Sequence, residues 1–429
     1  MRPMLRRSPP SENRPRLAVA AIFRDEFPYI IEWIAHHRAM GVDAFFIADN
    51  ESKDGSRELL EALAEAGYIR LMSFPTRDGQ PPQMRAYAAL MEAHAHEVDW
   101  VAFIDADEFL VPTDGSNDIR AAFDRLAKQP DVGAIAVNWA IFGSAGRIAY
   151  EPGLVLERFA CRAPREFLTN CHYKSIVRCA AYESVEGNPH FFRIRADWSY
   201  VHSDCSRLVD HPERGKGLSA AVCWNGLRLN HYAVKSREEF EQRKAPKGSA
   251  SLAGRRKGSG YFANHDCNEV RDPLPDAMLA EVATEAERIR SALKDIGATL
   301  TERPIVPSMP RPLFDGVRGH VDTIEQRDGA LVIRGWALRA SGRPPSTLVV
   351  DIEGKRTTFN DHAHIQRPDV QRHYPAAEPT CGFVLIVPDA PRSEETRYPL
   401  SIIVFAGDTP ADEAMPLIMP ALVCGTPSR

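Results

Sequence analysis

The stretch WVAFIDADEFL, Trp100 to Leu110, decides how the first part of this chain folds. Trp100 to Asp105 suits a buried strand, and three carboxylates, Asp105, Asp107 and Glu108, arrive together as that strand ends. Buried inside a sheet, such groups would be costly. At its edge they can hold a divalent cation, which prefers hard oxygen ligands. An Asp-x-Asp in that place reads as a site for a metal and a nucleotide diphosphate, because a departing diphosphate needs its charge neutralised. The plain alternative is a solvated acidic turn.

Upstream, strands and helices alternate. LAVAAIF (Leu17 to Phe23) is a continuous apolar run, as expected for a parallel strand covered on both faces. Asp25 is placed to cap the next helix, Pro28 suits its first turn, and Gly41 stops it. AFFIAD (Ala44 to Asp49) is a second strand, residues 55–66 a helix, Tyr68 to Phe74 a third strand and Gln83 to Glu97 a helix before the fourth strand. This order predicts an α/β fold with a doubly wound, mostly parallel sheet. Ligands of such sheets sit beyond the carboxyl ends of the strands, where both Asp49–Asn50 and the Asp105 cluster fall.

Downstream the pattern changes. GAIAVNWAIFG (from Gly133) and KSIVRC (Lys174 to Cys179) read as strands within irregular segments rich in Arg, His and aromatics, the place for an acceptor site. Lys244 to Gly260 holds five basic residues and almost no apolar ones; it reads as a mobile loop, either simply solvated or a basic lid over a diphosphate around Arg255 to Lys257. Pro275 to Leu293 reads as a helix. Pro304, Pro307, Pro310 and Pro312 mark a linker over 301–315. Beyond it, ALVIRGWAL, STLVVDIEG, GFVLIV and LSIIVFAG are short strand-like runs, which predicts a separate all-β sandwich over 316–429.

Composition narrows the class. Of 429 residues, 44% are hydrophobic and 26% charged, as in globular proteins, and the net charge of -5 argues against general nucleic-acid binding. There is no apolar run of about 18 residues, hence no expected membrane span. The basic, Pro-rich start lacks an apolar stretch behind it, so residues 1–15 read as a disordered tail, with attraction to anionic lipid as a minor alternative. A cytoplasmic protein is expected, with the inner membrane face as a secondary location. The eight cysteines form no CxxC pair and read as reduced and mostly buried. Cys161, Cys171, His172, Cys179, His190, His202 and Cys205 crowd one region, but their spacings fit no standard zinc pattern.

Five motifs in order resemble bacterial family 2 glycosyltransferases of the GT-A fold, in the branch related to family 92. They are Glu32-Trp33 with His37; Asp49, Asn50, Ser52, Asp54 and Ser56; Asp105-Ala106-Asp107-Glu108-Phe109; Asn138 to Gly146; and Leu229 to Lys244. Residues 16–300 would then be the GT-A domain, followed by an accessory β-sandwich marked by Gly335 to Leu338, Arg367 to Val370 and Cys381 to Phe383. The resemblance implies sugar transfer from a nucleotide-sugar, such as a UDP-sugar, to a glycan or lipid-linked acceptor, with inversion. It implies that Asp49, Asn50, Asp54, Asp105 and Lys235 meet the nucleotide-sugar, and that Asp105, Asp107 and His231 hold Mn²⁺ or Mg²⁺, with Glu108 in support.

Inversion needs a base at the acceptor hydroxyl. The candidates are Asp204 first, Glu166 second, then Asp197 and Asp210; His190, His202 and Trp139 are acceptor candidates. Turn chemistry alone explains Asp49 and Asn50 equally well. Rival functions are a glycoside hydrolase with Asp105 in a carboxylate pair, and a non-catalytic glycan-binding protein.

Overall fold

The computed structural model describes residues 14–77, 80–247 and 259–302, then 318–388 except 328, 340–341, 353–354, 361 and 374–376, and finally 402–407 and 415–416. The chain divides into two compact units, Met1–Lys257 with His265–Ile305, and Gly258–Asn264 with Val306–Arg429.

The first unit opens with the expected alternation. Its elements are β1 (Leu17–Phe23), α1 (Phe27–Ala39), β2 (Ala44–Asp49), α2 (Ser56–Glu65), β3 (Arg70–Ser73), α3 (Gln83–His94), β4 (Trp100–Phe103) and β5 (Glu108–Pro112). They continue with α4 (Arg120–Ala127), β6 (Val132–Ile141), β7 (Tyr173–Arg178), β8 (Ser199–His202), β9 (Leu227–His231) and α5 (Asp276–Asp295). Gly41 ends the first helix region at φ +93°, with Arg120 packed so close that a Cβ would collide with it. Asp25 does not cap α1. Its carboxylate accepts from the Lys53 N–H at 2.7 Å, and Glu26 takes the N-cap position without a side-chain bond.

The sheet order is β3-β2-β1-β4-β7-β6-β9-β5, with β8 also paired to β6. β3, β2, β1 and β4 are mutually parallel. Beyond β4 the sheet is mixed, although β8 and β9 both run parallel to β6 and most strand pairs of the sheet are parallel. β7 runs antiparallel to both β4 and β6, and β5 runs antiparallel to β9. Antiparallel neighbours need no helical crossover, so the irregular segment between β6 and β7 suffices as their connection.

The sheet must also curl. β4 and β5 are four strand spacings apart in the order, about 19 Å if flat, yet only residues 104–107 join them. That link is a turn closed by Glu108 N–H to Asp105 O at 3.1 Å. Curling brings the end of β9 back to the start of β5, with His231 opposite Glu108.

Apolar clusters cover both faces. One joins Trp33, Phe45, Trp100, Phe109 and Phe123 with Val282 and Ile289 of α5; the other joins Ala18, Phe46, Tyr87, Phe103 and Phe192. Arg14, placed in the expected tail, pairs with Asp43 at 2.5 Å; residues 1–13 lie outside the described residues. No helix among the described residues is long and apolar enough to cross a membrane.

The second unit holds two four-stranded antiparallel sheets. One is built from Arg318–Arg327, Ala330–Leu338, Gly382–Val387 and Ala363–Ile365, the other from Lys355–Phe359, Thr347–Ile352, Ile402–Gly407 and Met415–Pro416. Val321, Ile333, Phe383 and Leu385 of the first share one apolar cluster with Leu348, Val350 and Ile352 of the second. A short helix, Pro368–His373, follows Arg367, whose guanidinium bonds Asp369 at 2.9 and 2.6 Å. Most of the expected linker, from residue 303, lies outside the described residues.

Candidate active site

The turn after β4 is built by groups from five distant segments. The Trp33 indole N–H donates to the carbonyls of Asp105, at 3.1 Å, and Glu108, at 2.9 Å. His37 accepts the Leu110 N–H through Nε2 at 3.2 Å, and its Nδ1 meets the Trp33 carbonyl at 2.8 Å. Glu32 accepts the N–H groups of Val155 and Leu156, at 2.9 and 3.1 Å, and burial pushes its carboxyl up to about 7. Trp33 and His37 are therefore internal scaffolding that clamps the acidic turn and the start of β5, while Glu32 anchors the segment at Val155 and Leu156.

The three carboxylates of the turn have different fates. Glu108 is fully buried, and its Oε2 accepts the Asp105 N–H at 2.7 Å. Burial raises its carboxyl well above the usual range, and nearby Lys174 offsets this only in part. Asp105 keeps about a third of its side chain exposed; Oδ1 accepts from Gln83 at 2.7 Å and Tyr87 at 3.2 Å, and Oδ2 lies 3.0 Å from the ammonium of buried Lys174. Burial alone would raise Asp105, but Lys174 outweighs it and the carboxyl stays low. Asp107 pairs with the Lys244 ammonium and lies 3.6 Å from His231 Nε2. Against burial, those two partners hold Asp107 well below the usual carboxylate range.

His231 is lowered by burial, although Asp107 works the other way. Its ring packs on Trp139, centroids 4.3 Å apart, and His172 and His190 pack on the same indole at 4.8 and 5.2 Å. The His190 Nδ1 lies 2.9 Å from the Tyr173 carbonyl, an acceptor only, so Nδ1 carries the hydrogen and Nε2 is left as the acceptor. Burial, then Lys174 and His172, keep that ring neutral at pH 7. Lys235 stands at φ +57°, with its ammonium 4.3 Å over the Tyr29 ring. Burial lowers it and Asp107 opposes that.

A cation fits at Asp107 and His231, because Asp107 Oδ2 already holds a positive group, Lys244, and His231 Nε2 stands 3.6 Å from that oxygen; this oxygen and imidazole donor set suits Mn²⁺ or Mg²⁺. Asp105 departs from its expected metal role by turning toward Lys174. Among the described residues no three His, Cys, Asp or Glu side chains form a ready cage, so the Cys/His crowd builds no zinc site either.

At the end of β2 the polar groups serve the chain itself. Asp54 is fully buried; Oδ2 accepts the Phe27 N–H at 3.0 Å and lies 3.5 Å from the Arg243 guanidinium, and Oδ1 accepts the Ser56 N–H at 2.9 Å, so its carboxylate is turned into the chain. Asp49 is also buried and bonds Ser52 N–H and the Arg57 guanidinium. Asn50 donates to the Phe74 carbonyl and Thr76 Oγ1. The edge placement was as expected. Asp49 is level with Phe23 of β1, and Phe103 of β4 with Ala20, so the two clusters stand two strands apart, about 10 Å.

The expected bases are not brought in. Asp204 is exposed beside Asn225, at the opposite end of β9 from His231, roughly 13 Å away along the strand. Its bonds from Ser206 and Asn225 outweigh burial and take it to about 2, too low to accept a proton near neutrality. Glu166 and Asp197 are exposed on loops. His202 is buried opposite Ala136 and, among the described residues, has no ring contact with the Trp139 cluster. Lys174, Gln83 and Tyr87 carry no site signal in sequence, since a strand lysine, a helix-start glutamine and a helix tyrosine look ordinary there. The expected loop from Lys244 is helical at its start: Phe240–Lys244 is a π-helical turn running into Ala245–Lys247, whereas Arg255 to Lys257 lie outside the described residues.

An acidic turn, a histidine and lysines thus meet at the carboxyl edge of a mixed α/β sheet. Residues 18–144 match the model for "Glycosyltransferase family 92", so this segment is similar to a glycosyltransferase family 92 domain. The rice protein "Glycosyltransferase family 92 protein Os08g0121900" (Oryza sativa subsp. japonica) is 27% identical over 231 residues, 53% of this chain and 35% of that protein. The Ricinus communis protein "Glycosyltransferase family 92 protein RCOM_0530710" is 28% identical over 243 residues, 56% of this chain and 39% of that protein. The chain thus spans little more than a third of these curated relatives. They are plant proteins, and their family is the family 92 to which the motifs point. The crystal structure of S. aureus TarS aligns over 94% of this chain and 77% of its own at 10% identity, with a TM-score of 0.29, a likeness too low to carry an argument.

Proposed function

We propose that the first unit transfers a sugar from a nucleotide-sugar donor to a hydroxyl of a glycan or lipid-linked acceptor, with Mn²⁺ or Mg²⁺ at Asp107 and His231. The observation that carries this reading is the convergence of Asp107, His231 and Lys244 at the carboxyl edge of the sheet, together with the family 92 likeness of residues 18–144. The bound cation would neutralise charge on the leaving diphosphate. Lys235 adds a fixed positive charge beside it. Asp105, held on Lys174, faces the sugar-ribose side, and Asp49 orients exposed Arg57 toward the nucleoside end. His190, neutral and with Nε2 as acceptor, takes a hydrogen bond from the acceptor hydroxyl beside Trp139.

The hydrolase reading is disfavoured by charge. A glycosidase needs one carboxylic acid held protonated within reach of substrate. Asp105 and Asp107 are both held low, and Glu108, the raised one, is sealed inside.

Thermal shift against a panel of nucleotide-sugars, with Mn²⁺ or with EDTA, tests the proposal. At least one UDP-type ligand should stabilise the protein more with Mn²⁺. Equal stabilisation in EDTA removes the metal from the reading, and no stabilisation by any nucleotide-sugar removes the donor.

A further inference from the structure

Asp105 and Asp107 of the acidic turn are already neutralised from within the chain. Asp105 is matched by Lys174 and Asp107 by Lys244. A divalent cation would therefore bring two further charges into a balanced cluster. It would also meet the Lys244 ammonium on the same Asp107 oxygen, Oδ2, that faces His231 Nε2 at 3.6 Å.

We propose that Lys244 is an exchangeable occupant of the cation position: it holds Asp107 before donor binds, and passes to the donor diphosphate when the divalent ion takes its place. This rests on the transferase reading above and deepens it.

The two lysines are built differently, and that difference singles out Lys244. Lys174 sits in a central strand, is 1% exposed and lies between Asp105 at 3.0 Å and Glu108 at 3.9 Å. Leaving would strand two buried carboxyl groups. The Lys244 side chain is 18% exposed and stands at the end of a π-helical turn, a rare geometry that concentrates at functional sites. Its four-carbon stem lets the ammonium swing between nearby anions without moving the backbone. If Lys244 leaves, Asp107 and His231 stay in place as oxygen and nitrogen donors. A diphosphate drawn to a cation there would offer the displaced ammonium a charge-assisted partner close by. The same side chain would thus oppose binding of the bare metal and favour binding of metal together with diphosphate.

That opposition gives the test. On the full-length chain, Mn²⁺ binding is measured by electron paramagnetic resonance, first with Mn²⁺ alone and then with Mn²⁺ plus UDP. The proteins are the natural sequence, Lys244→Met, Lys244→Gln and Asp107→Asn, each checked for folding by circular dichroism. Removing the ammonium should tighten Mn²⁺ alone at least tenfold. It should also weaken UDP binding at saturating Mn²⁺ several-fold, and Lys244→Gln should reproduce both changes if Lys244→Met folds poorly. Mn²⁺ binding that is lost in Asp107→Asn but no tighter in either Lys244 variant would overturn the exchange while leaving the metal reading intact. Mn²⁺ that binds none of the proteins, with or without UDP, would overturn the metal reading and the exchange together.

Discussion

Two acidic clusters stand on the same edge of one sheet, and they are neutralised in opposite ways. At the end of β2, Asp49 and Asp54 accept N–H groups of Ser52, Ser56 and Phe27, and Asp49 pairs with Arg57 eight residues on. Those carboxylates knit their own loop and tie it to the start of α1, and Asp54 also has the distant Arg243 guanidinium 3.5 Å from Oδ2. After β4, Asp105 and Asp107 are met by lysines from β7 and from a helical turn 137 residues beyond Asp107. Local N–H groups cannot leave, so the first cluster is fixed architecture. A lysine can exchange its partner, so the second cluster can accept another cation. Glu32 combines both modes, since it is held by backbone N–H groups that lie more than 120 residues away.

The largest effect is expected at Asp107. Asp107→Asn should lower sugar transfer by about 10³-fold or more, the scale of losing charge stabilisation at a leaving group, while circular dichroism stays native. A variant with full transfer activity would erase the functional contrast between the clusters.

Lys174→Met should act on stability instead. It leaves Asp105 and Glu108 without their buried counter-ion, at a cost of about 3–5 kcal/mol. Urea unfolding measures it, and a loss under about 1 kcal/mol would mean that the pair is not the anchor described here.

Glu32 supplies a pH signature. Its folded-state pKa, about 7, lies above the ordinary glutamate value of 4.5, so the folded protein binds the extra proton between those values. Its stability contribution is fully present below pH 4.5 and is lost as pH rises to 7, by about 3 kcal/mol at 1.36 kcal/mol per unit. The difference in unfolding free energy between the natural protein and Glu32→Gln should shift by that amount over pH 4.5–7 and level off above. A flat difference would place Glu32 in a polar setting.

The smallest effect belongs to Asp54. Asp54→Ala removes two acceptors of backbone N–H groups and should cost about 1–2 kcal/mol. Donor affinity, read by isothermal titration, should hold within about twofold. A tenfold loss of donor affinity without loss of stability would return Asp54 to the nucleotide site.

By itself the sequence determined what depends on near neighbours. Apolar runs and turn residues marked β1 to β4 and the helices between them, because burial on both faces and chain reversal leave their trace within a few residues. The same locality showed that Asp49, Asp105 and Asp107 end strands on one edge, and that a strand-rich region follows the prolines. Tertiary structure decided whatever needed a distant partner. It reversed β7 and curled the sheet until His231 stood opposite Glu108. It turned Asp105 onto Lys174, left Asp204 at the far end of β9, and put Lys244 where a metal was expected. A carboxylate carries no record in its sequence of which charge will neutralise it. That choice depends on what the curl of the sheet brings within a few ångströms, and the cost of an unpaired buried charge enforces it.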